Sequence, residues 1–299
     1  MRVGRHVVTK TVLVTGGGRG LGRFVSEALV RDGHRVVMTV RDSQAGERAC
    51  AEIRAAMPSA SIEAHRLDLA SFADIRRFGS ELPATQRFDV LFHVAGVMQQ
   101  SRTRRLTGDG VEETLAVNAL APFLLTHELE PRLGTGPRVP RVICVSSRLH
   151  LPGSRGPSVD FDFDDPSLER GYDPDRAYKN SKLGLLWFTY ELARRFPPPR
   201  LTAHGICPGF VPTTAAASTR GATRLLLRYV LPLMPFATSV ADAVESLRFI
   251  AVDPSLDVTT GDFWADGKPV DSSPQSRDTA DARRFWAFAE RVTGTGPWR

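Results

Sequence analysis

A short apolar segment running into a cluster of glycines constrains this chain more than any other feature. Thr11 to Gly22 reads TVLVTGGGRGLG. Val12, Leu13 and Val14 fit a strand buried on both faces. Thr15 opens a loop holding Gly16, Gly17, Gly18, Gly20 and Gly22, and beyond it Leu21, Phe24, Val25, Ala28 and Leu29 recur at helical spacing. Strand, glycine turn and helix are the setting in which a loop can cradle a pyrophosphate. Glycine lets the backbone approach the phosphates, and the free N–H groups and dipole of the helix start favour an anion. An ordinary glycine-rich turn has the same composition, and the motif alone is weak. The rest of the chain has to decide.

Length and composition narrow the field. At 299 residues the chain suits one large α/β domain, and 42% hydrophobic with 24% charged residues is the balance of a soluble globular protein. No apolar run approaches the ~20 residues that span a bilayer. The start, MRVGRHVVTK, is too short and polar for a secretion signal. Cys50, Cys144 and Cys207 lie far apart without metal-ligand spacing, and Cys144 and Cys207 sit in strand-like runs as small buried thiols. No metal is expected, and the cytoplasm is the expected location. A net charge of +6 raises nucleic acid as a partner, but only four of the 39 basic residues are lysines and the arginines are scattered. That distribution does not form a phosphate-tracking stripe, so no nucleic-acid binding is expected.

Taken in order, the chain alternates strands and helices. Arg35–Val40 is a second strand followed by Arg41 and Asp42. An acidic residue near this point holds the ribose hydroxyls of NAD, whereas an arginine accommodates the 2′-phosphate of NADP. Arg19 in the glycine loop can reach the same phosphate, and two arginines on one dianion favour NADP. Each arginine alone also reads as a solvated surface charge. Ser43–Met57 reads as a helix and Ser61–Leu67 as a third strand, leading to Asp68 and Leu69. Asp68 suits a hydrogen bond from the adenine amino group, or an N-cap for a helix from about Ser71 to Leu82. A fourth strand, Asp89–Val94, runs into Ala95 and Gly96, whose small side chains allow a nucleotide to come close.

Val111–Leu133 reads as a long helix interrupted near Pro122, with Asn118 in its apolar middle, where a buried amide needs partners. Arg141–Ser146 is a fifth strand ending at Ser147. An irregular insertion of about 148–174 follows, whose acidic run Asp160–Asp165 reads as a loop pinned by its phenylalanines. Arg176–Phe196 is a helix stopped by three prolines. Leu201–Cys207 is a sixth strand, followed by Pro208, Gly209, Phe210, Val211, Pro212 and Thr213. Val240–Val252 is a helix and Gly261–Trp264 a last short strand. This order predicts a single-domain α/β fold, a doubly wound parallel sheet over residues 1–299, with its ligand crevice at the strand C-termini. Thr15, Arg41, Asp68, Gly96, Ser147 and Pro208 all fall at that edge.

Tyr178 and Lys182 stand four apart and share a helix face. A nearby ammonium favours the phenolate and lowers the tyrosine pKa toward the working range. Lys182 also suits a ribose hydroxyl, and Ser147 can donate to a carbonyl oxygen. Alone, the pair reads equally as a helix surface contact; its place after a dinucleotide-type fold points to catalysis.

At this point the chain resembles the short-chain dehydrogenase/reductase family over nearly its whole length. The matching motifs are Thr15–Gly22, Asp68-Leu69, Asn118, Ser146-Ser147, Tyr178–Lys182 and Pro208-Gly209. The long segment between Ser147 and Tyr178, the run AYKNSKLGLLWFTYELARRF and the tail GDFWADGKPVDSSPQSRDTADARRFW resemble the retinol-dehydrogenase-like branch. The resemblance implies Ser147, Tyr178 and Lys182 as the catalytic triad, with Asn118 holding a water that connects Lys182 to solvent. It implies NADP (NADPH) contacts from Gly16, Gly18, Arg19, Gly20, Leu21, Gly22, Arg41, Asp68, Leu69, Ala95, Gly96, Tyr178, Lys182, Pro208, Gly209 and Val211, and from Thr213 at the nicotinamide carboxamide. One departure stands out: His93-Val94-Ala95-Gly96 replaces the usual Asn-Asn-Ala-Gly, which removes amides that would tie neighbouring strands together.

The expected activity is hydride transfer between NADP(H) and a carbonyl or alcohol group of a small lipophilic substrate. A non-catalytic NADP(H) sensor or scaffold is the alternative. A segment of about 213–236, rich in leucine, is expected to cover the substrate; with Arg220, Arg224 and Arg228 it also suits a membrane surface, though the cover is the preferred reading. Relatives often pair through the helices at Val111–Leu133 and Arg176–Phe196, so a homodimer is expected.

Overall fold

The apolar run at the start of the chain becomes an inner strand of an eight-stranded sheet. In chain order the strands are β1 (Thr11–Thr15), β2 (Arg35–Val40), β3 (Ile62–Arg66), β4 (Val90–His93), β5 (Arg141–Val145), β6 (Thr202–Cys207), β7 (Phe263–Ala265) and β8 (Lys268–Val270). Their spatial order in this computed structural model is β3-β2-β1-β4-β5-β6-β7-β8. The structure describes residues 9–134, 138–154, 156, 159–212 and 237–298. The expected substrate cover, its arginines and Thr213 lie outside those residues.

β1 to β7 pair in parallel, as the alternating order predicts, and β8 alone runs antiparallel against β7. The expected last strand therefore sits two residues further along and has a hairpin partner. Asp266 and Gly267 make the turn at φ 53° and 72°. Two left-handed residues in sequence match the twist of a tight hairpin, and Asp-Gly is a favoured pair for it.

Side chains alternate across the sheet. Leu13, Val37, Leu91 and Val142 face one core, whereas Val12, Val14, Val36, Phe92 and Ile143 face the other. The second layer is covered by α1 (Gly20–Arg31), α2 (Ser43–Ala56) and α7 (Val240–Val252), and the first by α3 (Phe72–Glu81), α5 (Ala121–Leu129), α6 (Pro174–Arg195) and α8 (Thr279–Thr293). Helices on both faces are what a buried parallel sheet requires. α6 begins two residues earlier than its periodicity suggests. Pro174 suits the first helical position, and the Asp173 carboxylate accepts the Arg176 N–H as its cap.

The expected break near Pro122 is a change of winding. A short helix α4 (Glu113–Leu115) passes through a π-helical turn, Ala116–Leu120, into α5. Pro122 has no N–H for the Asn118 carbonyl, and its ring would crowd that carbonyl in a regular α-helix. The wider turn carries the chain past it, with the Ala121 N–H reaching back to the Ala116 oxygen. Such turns recur at functional sites, and this one carries Asn118.

α8 packs across α5 and α6. The Phe123 ring of α5 lies 5.0 Å from Trp286 and 5.2 Å from Trp298. Phe188 of α6 packs 6.1 Å from Trp286, and the Arg195 guanidinium lies 4.4 Å above that same indole. The insertion is pinned on α6 as well: Phe161 meets Trp187 edge-on at 5.4 Å, and Phe163 stacks on it at 5.6 Å. Among the described residues no helix is long and apolar enough to cross a membrane.

Trp286 is fully buried, so Trp286→Ala should cost about 3–5 kcal/mol of stability, the usual range for emptying an aromatic site. Urea unfolding measures it; a loss below about 1 kcal/mol would separate α8 from the cooperative core.

Candidate active site

The glycine loop can hold its shape only without side chains. Gly16 sits at φ +70°, and a Cβ on Gly22 would lie 2.4 Å from the Gly16 carbonyl oxygen. The loop closes against the end of β4, where a Cβ on Gly16 would meet that of Ala95 at 3.1 Å. The crevice thus opens between β1 and β4, where the strand order reverses direction, the usual ligand position in such sheets. At α1, Arg19 occupies the cap position without a side-chain cap bond, and the first turn holds no carboxylate. That leaves the positive end of the helix available to an anion.

Arg19 and Arg41 flank this loop. The Gly17 N–H donates to the Thr39 oxygen at 3.1 Å, and Gly18 backs onto Val40. Each arginine is therefore one or two residues from a contact between the loop and β2. Both are exposed, and neither pairs with a described residue. The neighbouring carboxylate, Asp42, is engaged elsewhere: it caps α2, accepting from Gln44 and Ala45 at 3.0 and 3.2 Å. Asp68 does not cap α3. Ser71 takes that position, accepting the Asp74 N–H at 3.2 Å, and Asp68 instead accepts from Ala70 at 3.0 Å. Leu69, half-buried, packs on the core below.

On the other side of the crevice, Asn118, Ser147, Tyr178 and Lys182 come together. The Asn118 amide accepts the Val97 N–H at 2.8 Å, donates to the Val97 carbonyl at 2.8 Å and donates to Ser181 Oγ at 3.0 Å. This two-way clamp holds the chain after Gly96. A Cβ on Gly96 would sit 3.3 Å from Lys182 Nζ and 3.4 Å from Asn118 Oδ1, so that glycine leaves the space beside both polar heads unfilled. Lys182 is 3% exposed, and its Nζ donates to the Val145 carbonyl at 2.8 Å.

The Ser147 hydroxyl accepts the Leu149 N–H at 3.2 Å, and its side chain lies close enough to the Tyr178 phenol to pull the phenol pKa downward. Lys182 Nζ lies 5.6 Å from the centre of the Tyr178 ring. The expected lowering of the tyrosine pKa is reversed. Burial pushes Tyr178 up to about 12, only partly countered by the nearby Ser147 hydroxyl. Burial also brings Lys182 down to about 8. With the ammonium turned to Val145, desolvation outweighs its field at the phenol.

Lys179 and Asn180, inside the Tyr178–Lys182 motif but given no role of their own by the sequence, hold the surroundings. Lys179 Nζ donates to Ser154 Oγ at 2.9 Å, and the Asn180 amide donates to the Asp160 carbonyl at 2.7 Å. Both fasten the insertion to α6. Their clue was position: polar side chains inside a helix otherwise read as apolar. Past β6, Pro208 and Gly209 are half-buried and Val211 is buried. Gly209 at φ +83° has no room for a side chain beside Thr238.

His93 is a buried structural residue. Its Nε2 lies 2.9 Å from Thr126 Oγ1, and burial lowers its pKa to about 3.

This arrangement has clear relatives. Residues 10–158 match the short chain dehydrogenase family. Human retinol dehydrogenase 14 is 33% identical over 302 residues, covering 95% of this chain and 86% of that protein. Dehydrogenase/reductase SDR family member 13 of Bos taurus is 32% identical, covering 96% of this chain and 74% of its own. Among solved structures, an uncharacterized protein of Mycobacterium paratuberculosis superposes with a TM-score of 0.72 at 30% identity, covering 96% and 94% of the two chains. A metagenomic blue fluorescent protein in complex with NADPH gives 0.63 at 25% identity, covering 86% and 95%. The chain belongs to the short-chain dehydrogenase family of oxidoreductases. Within it, the chain falls in the retinol-dehydrogenase-like branch.

The His93 pKa carries a pH dependence of stability. Between about pH 6.5 and pH 3 the unfolded chain binds a proton on His93 that the native chain refuses, so acidification through this window destabilises the fold. The stability advantage of the parent over His93→Asn should therefore shrink between pH 7.5 and pH 5. Denaturant midpoints at both values measure it; a constant gap would mean that His93 is not held neutral.

Proposed function

We propose that this chain is an NADP(H)-dependent oxidoreductase that reduces, or in reverse forms, the carbonyl group of a small lipophilic substrate, with Tyr178 as the proton-transferring group. The observation that carries this reading is Tyr178 lying between the Ser147 side chain and the buried Lys182, whose Nζ is 5.6 Å from the phenol ring centre, at the same sheet edge as the glycine loop.

The residues present fit the cofactor. The Gly16–Gly22 turn is a cradle that any Cβ at Gly22 would fill, and the uncapped start of α1 faces it. Arg19 and Arg41 would hold a 2′-phosphate, while Asp42, the carboxylate that would favour NAD, is tied up as a helix cap. Asp68 and Leu69 would meet the adenine, Ala95 and Gly96 leave room for the nucleotide, and Leu21 would border the phosphates. Lys182 would hold a ribose hydroxyl, with Pro208, Gly209, Val211 and Thr213 toward the nicotinamide. When bound, the reduced nicotinamide supplies hydride to a carbonyl carbon.

The chain's own groups manage the proton. Ser147 would orient the substrate oxygen through a hydrogen bond. Tyr178, with its pKa pushed up to about 12, carries its proton at neutral pH and suits the role of general acid to that oxygen. Lys182, at about 8, holds a proton that can follow. The Asn118 amide is occupied by Val97 and Ser181, so a water-holding role falls to its main-chain carbonyl, to which Pro122 offers no N–H. The lipophilic substrate class is supported by the retinol dehydrogenase relatives and by the leucine-rich run Leu225–Leu227. Three buried free thiols suit a reducing cytoplasm.

Tyr178→Phe should lower turnover about 10²- to 10⁴-fold, the usual weight of acid–base catalysis, with NADPH affinity within about twofold of the parent. A screen of hydrophobic ketones and aldehydes followed by NADPH absorbance provides the assay. Turnover that survives the change would favour a sensor or scaffold over an enzyme.

Arg41→Asp should weaken NADPH binding about 10- to 100-fold, the value of one or two charged hydrogen bonds, and leave NADH binding equal or better. Titration of cofactor fluorescence reads both, and unchanged NADPH affinity would remove Arg41 from the phosphate site.

A further inference from the structure

His150 stands three residues beyond Ser147 in the turn Arg148–His150, and no motif marks it. It is 1% exposed, and both of its ring nitrogens have partners. Nδ1 bonds the Ser147 carbonyl, and Nε2 accepts the Ser273 N–H at 3.2 Å. A backbone N–H can only donate, so Nε2 must be the acceptor and Nδ1 must carry the proton. Burial lowers the pKa of His150 and keeps it neutral in this tautomer. The ring also stands edge-on to Phe263 of β7, at 5.2 Å and 90°.

What lies beyond Ser273 gives this bridge its meaning. Ser273 opens a short turn, Pro274–Arg277, that is fastened to α6. Trp187 Nε1 donates to the Gln275 carbonyl at 2.9 Å, and the Tyr190 hydroxyl donates to Ser272 Oγ at 2.8 Å. Ser276 Oγ joins Ser272 Oγ at 2.7 Å and the Ser273 carbonyl at 2.6 Å. α6 is the helix that carries Tyr178. A hydrogen-bonded path therefore runs from Ser147, which lies beside Tyr178, through His150 to the tail segment, and back to α6 at Trp187 and Tyr190.

We propose that His150 is a positioning residue, bridging the Ser147 backbone to the segment at Ser273 and so holding the Ser147 hydroxyl in place beside Tyr178. The proposal rests on the reading of Ser147 and Tyr178 as the reacting pair. Its physical basis is geometric. Ser147 ends a strand and sits half-buried at the mouth of an irregular insertion, where the strand ladder no longer holds it. The remaining restraints on its backbone are local to the turn, whereas His150 ties it to Ser273, 123 residues beyond His150 itself. Misplacing a reacting group by about 1 Å costs on the order of 100-fold in rate.

Three variants and the parent decide the matter. His150→Leu removes both bonds and keeps an apolar side chain against Phe263. His150→Asn keeps an amide N–H near the place of Nδ1, able to donate to the Ser147 carbonyl, but does not reach Ser273. Ser147→Ala tests the underlying site. The measurements are kcat and KM for a carbonyl substrate, NADPH affinity and the thermal midpoint, with nitrogen-15 NMR of the parent to read the His150 tautomer.

His150→Leu should lower kcat about 10- to 100-fold, with NADPH affinity within about twofold and a single cooperative melt. His150→Asn should recover at least about a third of the parent kcat. The tautomer should be Nδ1–H from pH 6 to pH 8. A His150→Leu kcat within about twofold of the parent would overturn the proposal, as would an Nε2–H tautomer. So would a His150→Asn variant that melts like the parent yet turns over as slowly as His150→Leu. If His150→Leu fails to fold, the decision passes to His150→Asn and the tautomer. If Ser147→Ala keeps parent turnover, the reading of the site itself has failed, which is distinct from failure of the bridge.

Discussion

Two hydrogen bonds between α6 and the end of β5 set the geometry on which the site depends. Lys182 Nζ donates to the Val145 carbonyl at 2.8 Å, and Ser146 Oγ donates to the Lys182 carbonyl at 3.1 Å. Together they bind the helix that carries Tyr178 to the strand that ends in Ser147, side chain to backbone in both directions. A buried ammonium is costly without partners, so the side chain that enters this position is held there by the bond that satisfies it. Neither bond tolerates a slip of one residue along the helix, which would turn Tyr178 off the shared face.

Around that joint the chain uses polar groups in the places where a parallel sheet leaves backbone unpaired. β5 stops at Val145, and Ser146 still continues the ladder through its N–H to the Ile206 carbonyl at 2.8 Å. Past that point the strand pattern ends and side chains take over: Asn118 clamps Val97, Lys179 and Asn180 hold the insertion, and Ser181 joins Asn118 to the carbonyl of Tyr178. The polar interior of the motif from Tyr178 to Lys182 is thus a set of fasteners around these two side chains. Fully partnered, such a network specifies one arrangement; left half-partnered, it would weaken the core.

Much of this was legible from the residues. The alternation of strands and helices follows from hydrophobic period, and a glycine turn between a strand and a helix has few uses. Four-residue spacing placed Tyr178 and Lys182 on one face without any coordinates. What stayed hidden depends on distant partners. The π-helical turn at Ala116–Leu120 changes the winding without altering an almost wholly apolar pattern. α8 mixes Arg283, Arg284 and Arg291 with its aromatics and reads weakly until the Phe123 and Phe188 surface it covers is known. The rise of the Tyr178 pKa is a desolvation effect, and spacing along a helix conveys charge proximity but not burial. His150 lies in a segment without period, and its partners are backbone groups, which carry no sequence signal.

The replacement of the usual Asn-Asn by His93-Val94 shows how the crevice keeps its shape with different side chains. Thr15, at the end of β1, accepts the N–H groups of both Val94 and Ala95 at its hydroxyl, at 3.0 and 3.1 Å. That single oxygen joins the two strand ends on either side of the crevice, so the β4 backbone is held without an amide at position 94. His93 turns to the opposite layer and bonds Thr126, whose own hydroxyl donates to the Pro122 carbonyl at 2.7 Å. Its ring therefore ties β4 to α5 just beyond the π-helical turn that carries Asn118. The substitution moves a strand-to-strand tie into a strand-to-helix tie and leaves the small residues Ala95 and Gly96 lining the opening.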